Sequence, residues 1–237
     1  MAINAKEAPR GGKAPEPIDP GSYPSQLVQV IDFGLQPQTY NNEEKPPARE
    51  IGTTYELADE FLKDEEGNDL EDKPRWLSET FALHNLGSER AKSTARYYAL
   101  DPNEEFDGDW GKLLGRPAMI TVVNKPGKGA NKGRIYNNIA STSAMRPKEV
   151  AKLPKLKNEP KFFDLSVATK DNVELFYSFP DWIQKKIKGG LEFEGTDFAE
   201  LLANTPPPKK DDKAKDKKRE VVEVDDEIPT DEDEGNW

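Results

Sequence analysis

The last eighteen residues set the limit on what this chain can fold into. Residues 220–237 carry nine acids and no base, so they have little apolar surface to bury and a charge that repels itself. The acids Asp225, Asp226 and Glu227 lead into Ile228-Pro229, Asp231, Glu232, Asp233 and Glu234 follow, and the segment stops on Trp237. An aromatic ring at the end of an acidic rope suits a partner-binding anchor: the indole fills a pocket and the carboxylates meet a basic rim. Before it, residues 206–219 hold seven bases and three acids, starting at the Pro206-Pro207-Pro208 stop. Residues 1–24 are rich in Pro, Gly and Ala and read as a flexible arm. The division is therefore an arm over 1–24, one domain over 25–205, a Lys-rich linker over 206–219 and an acidic tail over 220–237.

The net charge of −11 divides into −9 for the tail, +4 for the linker and −6 for the first 205 residues. Within those 205, residues 116–161 hold eleven bases and two acids, a local +9. A basic block on an acidic chain with an acidic tail suggests that the tail and a polyanion compete for one surface. There are no cysteines and one histidine, His84. That excludes disulfides, thiolate metal sites and His-rich zinc sites, and fits a reducing cytoplasm. No cofactor is expected. No apolar run is long enough for a transmembrane helix, and Met1 to Lys6 lack the core of a signal peptide. No membrane association is expected.

The periodicity predicts strands over 27–35, 50–57 and 75–81, a helix over 88–100 capped by Ser88, a helical turn over 110–114, and strands over 118–124 and 134–140. Residues 146–161 read as irregular, 162–167 with 173–176 as a further hairpin, and 181–187 and 197–202 as short helices. This is a mainly β chain with a few short helices. The order of three strands, a helix and two strands matches the five-stranded oligonucleotide/oligosaccharide-binding barrel.

The basic hairpin is the first candidate site. Lys125, Lys128, Lys132 and Arg134 surround three glycines, with Tyr136 close behind. Cations for phosphates and a flat ring for bases are what single-strand binding needs, and glycines let the backbone approach. The same composition also serves a solvated hairpin tip. The Gly-x4-Gly-Lys-Ser/Thr spacing of a phosphate-binding loop is absent. Lys73, Arg75 and Trp76 form a second candidate, with Trp76 read as core and the two cations as exposed. On the helix, Lys92 and Arg96 share a face four residues apart, where like charges repel unless an anion offsets them. Lys45 and Arg49 flank the second strand, and Tyr55 on that strand is a further candidate for stacking. A catalytic triad would have to use His84, which sits among apolar neighbours, and no metal-nuclease carboxylate arrangement ends a strand. An enzyme is not expected.

Several strings resemble a family encoded by tailed bacteriophages: Val28-Gln29-Val30-Ile31-Asp32-Phe33-Gly34-Leu35-Gln36-Pro37, Glu44-Lys45-Pro46-Pro47, Asp72-Lys73-Pro74-Arg75-Trp76-Leu77-Ser78, Arg90-Ala91-Lys92-Ser93 and Tyr136-Asn137-Asn138-Ile139. The resemblance covers residues 24 to 180. Members are commonly described as single-stranded DNA-binding proteins, a few as structural proteins. The tail is similar to the acidic tips of such binders, with Ile228-Pro229 and Trp237 eight residues apart. The resemblance implies phage replication or recombination in the host cytoplasm, and a tail that recruits a polymerase, helicase or nuclease. An oligomer is compatible with it. A virion structural or assembly protein is the alternative. A DNA mimic is disfavoured by the +9 of residues 116–161.

Overall fold

The computed structural model describes residues 16–208 apart from Asn42, Glu65, Ala130 and Asn131. The Lys-rich linker beyond Pro208 and the acidic tail, with all its candidate partner-binding residues, lie outside the described residues. Five strands form one curled antiparallel sheet: β1 (Gly21–Tyr40), β2 (Glu43–Lys63), β3 (Asp69–Ala82), β4 (Pro117–Pro126) and β5 (Ile135–Ser143). Their order across the sheet is β3-β2-β1-β4-β5. The result is a half-barrel, similar in general shape to the barrel the strand order suggests. Helix α1 (Lys92–Leu100) lies between β3 and β4.

β1 is twenty residues long and begins at Gly21, inside the stretch that reads as a flexible arm. Ile18 just before it is buried in the barrel core. The Asn137 amide holds that residue from both sides: its Oδ1 accepts from the Ile18 N–H (3.0 Å) and its Nδ2 donates to the Ile18 carbonyl (2.9 Å). Three register shifts bend β1 along its pairing with β2. One lies at Asp32/Gly34, where Gly34 takes φ 74° and donates its N–H to Asp32 Oδ1. A Cβ on Gly34 would come within 2.7 Å of Leu165 Cδ2, so the position excludes other residues twice over.

The bends let β1 bury both faces. Leu27 and Val30 join Ile51, Tyr55, Leu57, Phe81, Ile120 and Val122 in the barrel core. Ile31 and Phe33 belong to a second core made with residues 161–203. That segment does not form the expected hairpin. After the short helix α2 (Pro147–Val150), β6 (Lys161–Phe163) pairs in parallel with β1, and Lys170–Ser178 is helix α3. Helices α4 (Asp181–Lys188) and α5 (Asp197–Ala203) follow. Val173 and Phe176 are spaced for a helix face, and Thr169 caps it by accepting the Asn172 N–H. The rings of Phe163, Phe176 and Phe198 meet with centroids 5.2–6.2 Å apart. Lys186 of α4 ties the second core to the sheet through Glu50 Oε2 at 2.6 Å, and its Nζ lies 4.9 Å from the Phe33 ring centre.

α1 also starts later than expected. Its first residue is Lys92 and the cap position is Ala91, with no side-chain cap. Ser93 Oγ instead accepts the His84 N–H, and Thr94 Oγ1 donates to the Asn85 carbonyl, which commits residues 84–91 to a turn.

The outer strands β3 and β5 are not paired to each other. Arg96 of α1 bridges them. Its guanidinium donates to both Glu79 oxygens on β3 (2.8 and 3.2 Å) and to the carbonyls of Ile139 and Ala140 on β5 (3.4 Å each). Lys92 Nζ adds a contact to Glu79 at 3.4 Å. Breaking a buried pair leaves an uncompensated charge, which costs about 3–5 kcal/mol. Arg96→Met is therefore expected to lower stability by that amount, read as a lower urea midpoint at unchanged slope. A decrease below about 1 kcal/mol would show that closure does not depend on this pair.

Candidate nucleic-acid interface

The β4–β5 hairpin projects its basic tip by ordinary strand register. Lys125 and Tyr136 face each other across the ladder, with Val123 and Asn138, then Thr121 and Ser141, following down the same face. The alternate positions Ala118, Ile120 and Val122 are buried in the barrel. Period-two patterning thus separates core from tip. The tip closes with the Gly127 N–H donating to the Arg134 carbonyl at 2.8 Å. Gly129 and Gly133 carry φ values of 57° and 98° that side chains rarely adopt. Lys125, Lys128, Lys132 and Arg134 are exposed, and Tyr136 is half-buried.

The remaining candidate residues fare differently. Tyr55 is wholly buried. Burial, reinforced by the Glu79 carboxylate, holds its phenol well above the ordinary tyrosine value. It is a core residue and offers no ring to a base, because its position on β2 points into the barrel. Arg96 is likewise a correction: its guanidinium is buried and spent on Glu79. Lys92 shares that carboxylate. Arg49 forks onto Asp32 (2.6 Å) and also reaches Glu192 (3.3 Å), and its guanidinium is held above its usual value by the Asp32 hydrogen bond. Lys45 pairs with Glu43 at 3.1 Å on the exposed β1–β2 ribbon.

Lys73 and Arg75 are half-buried where the sequence suggests exposure. Arg75 donates to the Glu16 carbonyl at 2.8 Å, drawn into the mouth of the barrel by the N-terminal segment. That mouth is acidic. Burial and then Asp59 raise the Glu60 carboxyl, and burial raises that of Asp59. The Tyr23 phenol is raised by burial and by Glu60, Asp19 and Asp59. A phosphate approaching there meets like charge. Trp76 is the opposite correction: it is 37% exposed and not core. Its cross-strand neighbour is Glu56, whose Oε2 accepts the indole N–H at 3.3 Å.

A basic strap joins the candidates from the structure alone. Residues 144–160 leave β5 and cross the outer face of β2, and Glu56 pins them there. Its carboxylate accepts from the Lys157 N–H (2.7 Å), the Asn158 N–H (3.3 Å) and Asn158 Nδ2 (2.7 Å). Lys148, Lys152, Lys155 and Lys157 are exposed along it, and Lys161 just beyond its end. Among the described residues none of these five has an ion-pair partner within 4.0 Å; Arg146 pairs with Glu149 at 3.5 Å. The signal in the sequence is the +9 of residues 116–161, of which the hairpin accounts for only part.

Among the described residues no cluster of acids and His84 could hold a metal ion, and no helix is long and apolar enough to cross a membrane. No family model matches the chain, and no curated protein is significantly similar to it.

Glu56 carries a charge-assisted set of bonds, each worth about 1.5–3 kcal/mol. Glu56→Ala is expected to release the strap, so that trypsin cuts after Lys152, Lys155 and Lys157 well before the barrel unfolds. Unchanged cleavage times would show that the strap is held by other contacts.

Proposed function

We propose that this protein binds single-stranded DNA without sequence preference and performs no catalysis. The observation that carries the reading is the β4–β5 hairpin, where four exposed cations surround a glycine-shaped tip with Tyr136 alongside. Cations neutralise phosphates and release counterions, while a ring accepts a stacked base whatever its identity. The half-barrel, read as an oligonucleotide-binding barrel, would place this hairpin as the loop between its fourth and fifth strands, a position that ligands of such barrels use. The binder would protect single strands during phage replication or recombination in the host cytoplasm. The acidic tail would cover the basic surface in the free state. When DNA binds, the tail would leave and offer Trp237 to a polymerase, helicase or nuclease.

The test is anisotropy of a labelled oligo-dT, titrated over a range of salt with duplex competitor. Binding is expected to prefer the single strand and to weaken with salt. The triple variant K128Q/K132Q/R134Q should flatten the dependence of log affinity on log salt by about 0.7 for each phosphate left without its cation, roughly two in all. Absence of wild-type binding even at low salt would reject the reading and favour the virion-assembly alternative. Deleting residues 220–237 should raise affinity, most at low salt, where the competition is least screened. Unchanged affinity on deletion would reject the competition between tail and DNA.

A further inference from the structure

Between the strap and the β2–β3 edge lies a half-open cleft of about 120 Å³. Leu57, Phe61, Pro74 and Pro154 give it apolar walls, Glu56 lies at its side, and Lys155 and Lys157 stand on its rim. Three features of this place point the same way.

The first is charge. The strap lysines are cations without carboxylate partners among the described residues, unlike Lys45, Arg49, Lys92, Arg96 and Lys186. Glu56 makes no ion pair with them among the described residues; its oxygens accept from main-chain and amide N–H groups of the strap and from the Trp76 indole. The second is shape: flat apolar walls with a half-buried ring, Phe61, suit the face of a nucleobase. The third is the neighbouring surface. Trp76 is exposed on the same face of the sheet, and its indole N–H is held by Glu56, so the ring orientation is set before any ligand arrives. Glu71 also lines the cleft. Its negative charge repels phosphate, so the phosphates belong on the lysine side.

We infer that this cleft receives one nucleotide of the bound strand, with its base against Phe61 and its flanking phosphates on Lys155 and Lys157. The inference rests on the single-strand reading and extends the DNA path from the hairpin to the strap. The strap is then part of the binding surface, and Glu56 is a positioning residue that holds the surface in place.

Two variants of the full chain test it, each with thermal unfolding recorded to confirm the fold. K155Q/K157Q should bind oligo-dT several-fold more weakly at low salt and flatten the salt dependence by about 1.4, two phosphates at 0.7 each. F61A should bind about tenfold more weakly with the salt dependence unchanged, the signature of a missing base stack. If wild type binds and the hairpin variant K128Q/K132Q/R134Q loses affinity, yet K155Q/K157Q and F61A bind like wild type, the cleft is overturned and the hairpin reading stands. If wild type itself fails to bind at low salt, both fall. A change of salt dependence in F61A would reject the base contact.

Discussion

The Glu79–Arg96 pair is the constraint on which the barrel depends. Moving two charges out of water is expensive, and the attraction between them offsets that cost only when geometry is good and the remaining donors are satisfied. Both conditions hold. The guanidinium meets the two carboxylate oxygens in a fork, and its Nη2 also donates to two carbonyls of β5. Those carbonyls lie where a ladder between β3 and β5 would otherwise run. The pair therefore does in one place what strand pairing does along the rest of the sheet. It fixes α1 across the open seam, while the hairpin beyond Ile139 is held separately by the β1–β4 ladder and by Asn124 and Asn137 on Ile18.

β1 transmits that order to the other half of the molecule. A strand with two buried faces cannot slip by one residue without exposing both cores. Its bulge at Gly34 is locked by Asp32, and Asp32 in turn holds Arg49, which reaches Glu192 after α4. The Leu191 N–H donates to the Leu35 carbonyl at 2.8 Å along the same edge. The helical segment thus covers the outer face of β1 near Ile31 and Phe33, while the strap covers β2 near Glu56. The face of the β4–β5 hairpin, the strip around Trp76 and the end of the β1–β2 ribbon at Glu43–Pro47 remain open.

The parts of this arrangement that are legible in the sequence are those where one face is apolar and the other is not. The strand around Ala118–Val122 and the hairpin tip follow from alternation and glycine placement. The helix at Asp181–Lys188 follows from its spacing and the Gly189 stop. Lys92 and Arg96 do share a face, but the anion that offsets them is Glu79, on a strand thirteen residues earlier than Lys92, and no local pattern shows that. Trp76 reads as core because tryptophan usually is. The parity of β3 decides otherwise, placing it across from Glu56. Tyr55 errs the other way, its parity pointing inward. Residues 173–176 look like a strand because Val173 and Phe176 are good strand formers; the Thr169 cap and the aromatic cluster put them in helix α3. Residues 21–24 look like an arm because of Pro24 and Gly21, yet they pair with Met119–Val122.

Charge shows the same limit and also its use. A count of cations does not locate a polyanion surface, because a cation held by a carboxylate has little left to offer a phosphate. Lys45, Arg49, Lys92, Arg96 and Lys186 are all held in this way, and each is tied to the architecture of the sheet or its helices. The lysines of the strap have no carboxylate partner among the described residues. Their segment is anchored through its own main-chain N–H groups to Glu56, which fastens the strap without drawing on its side-chain charge. An acidic carboxylate can in this way stabilise a basic surface: it takes the neutral donors and leaves the ammonium groups in solvent. The mouth near Tyr23 works in the opposite sense, with Asp19, Asp59 and Glu60 gathered where Arg75 is already engaged. On the proposed reading, a strand of phosphates would find repulsion at the mouth and cations at the hairpin and strap. On that reading, the uneven charge would orient an approaching polyanion even though the chain as a whole is acidic.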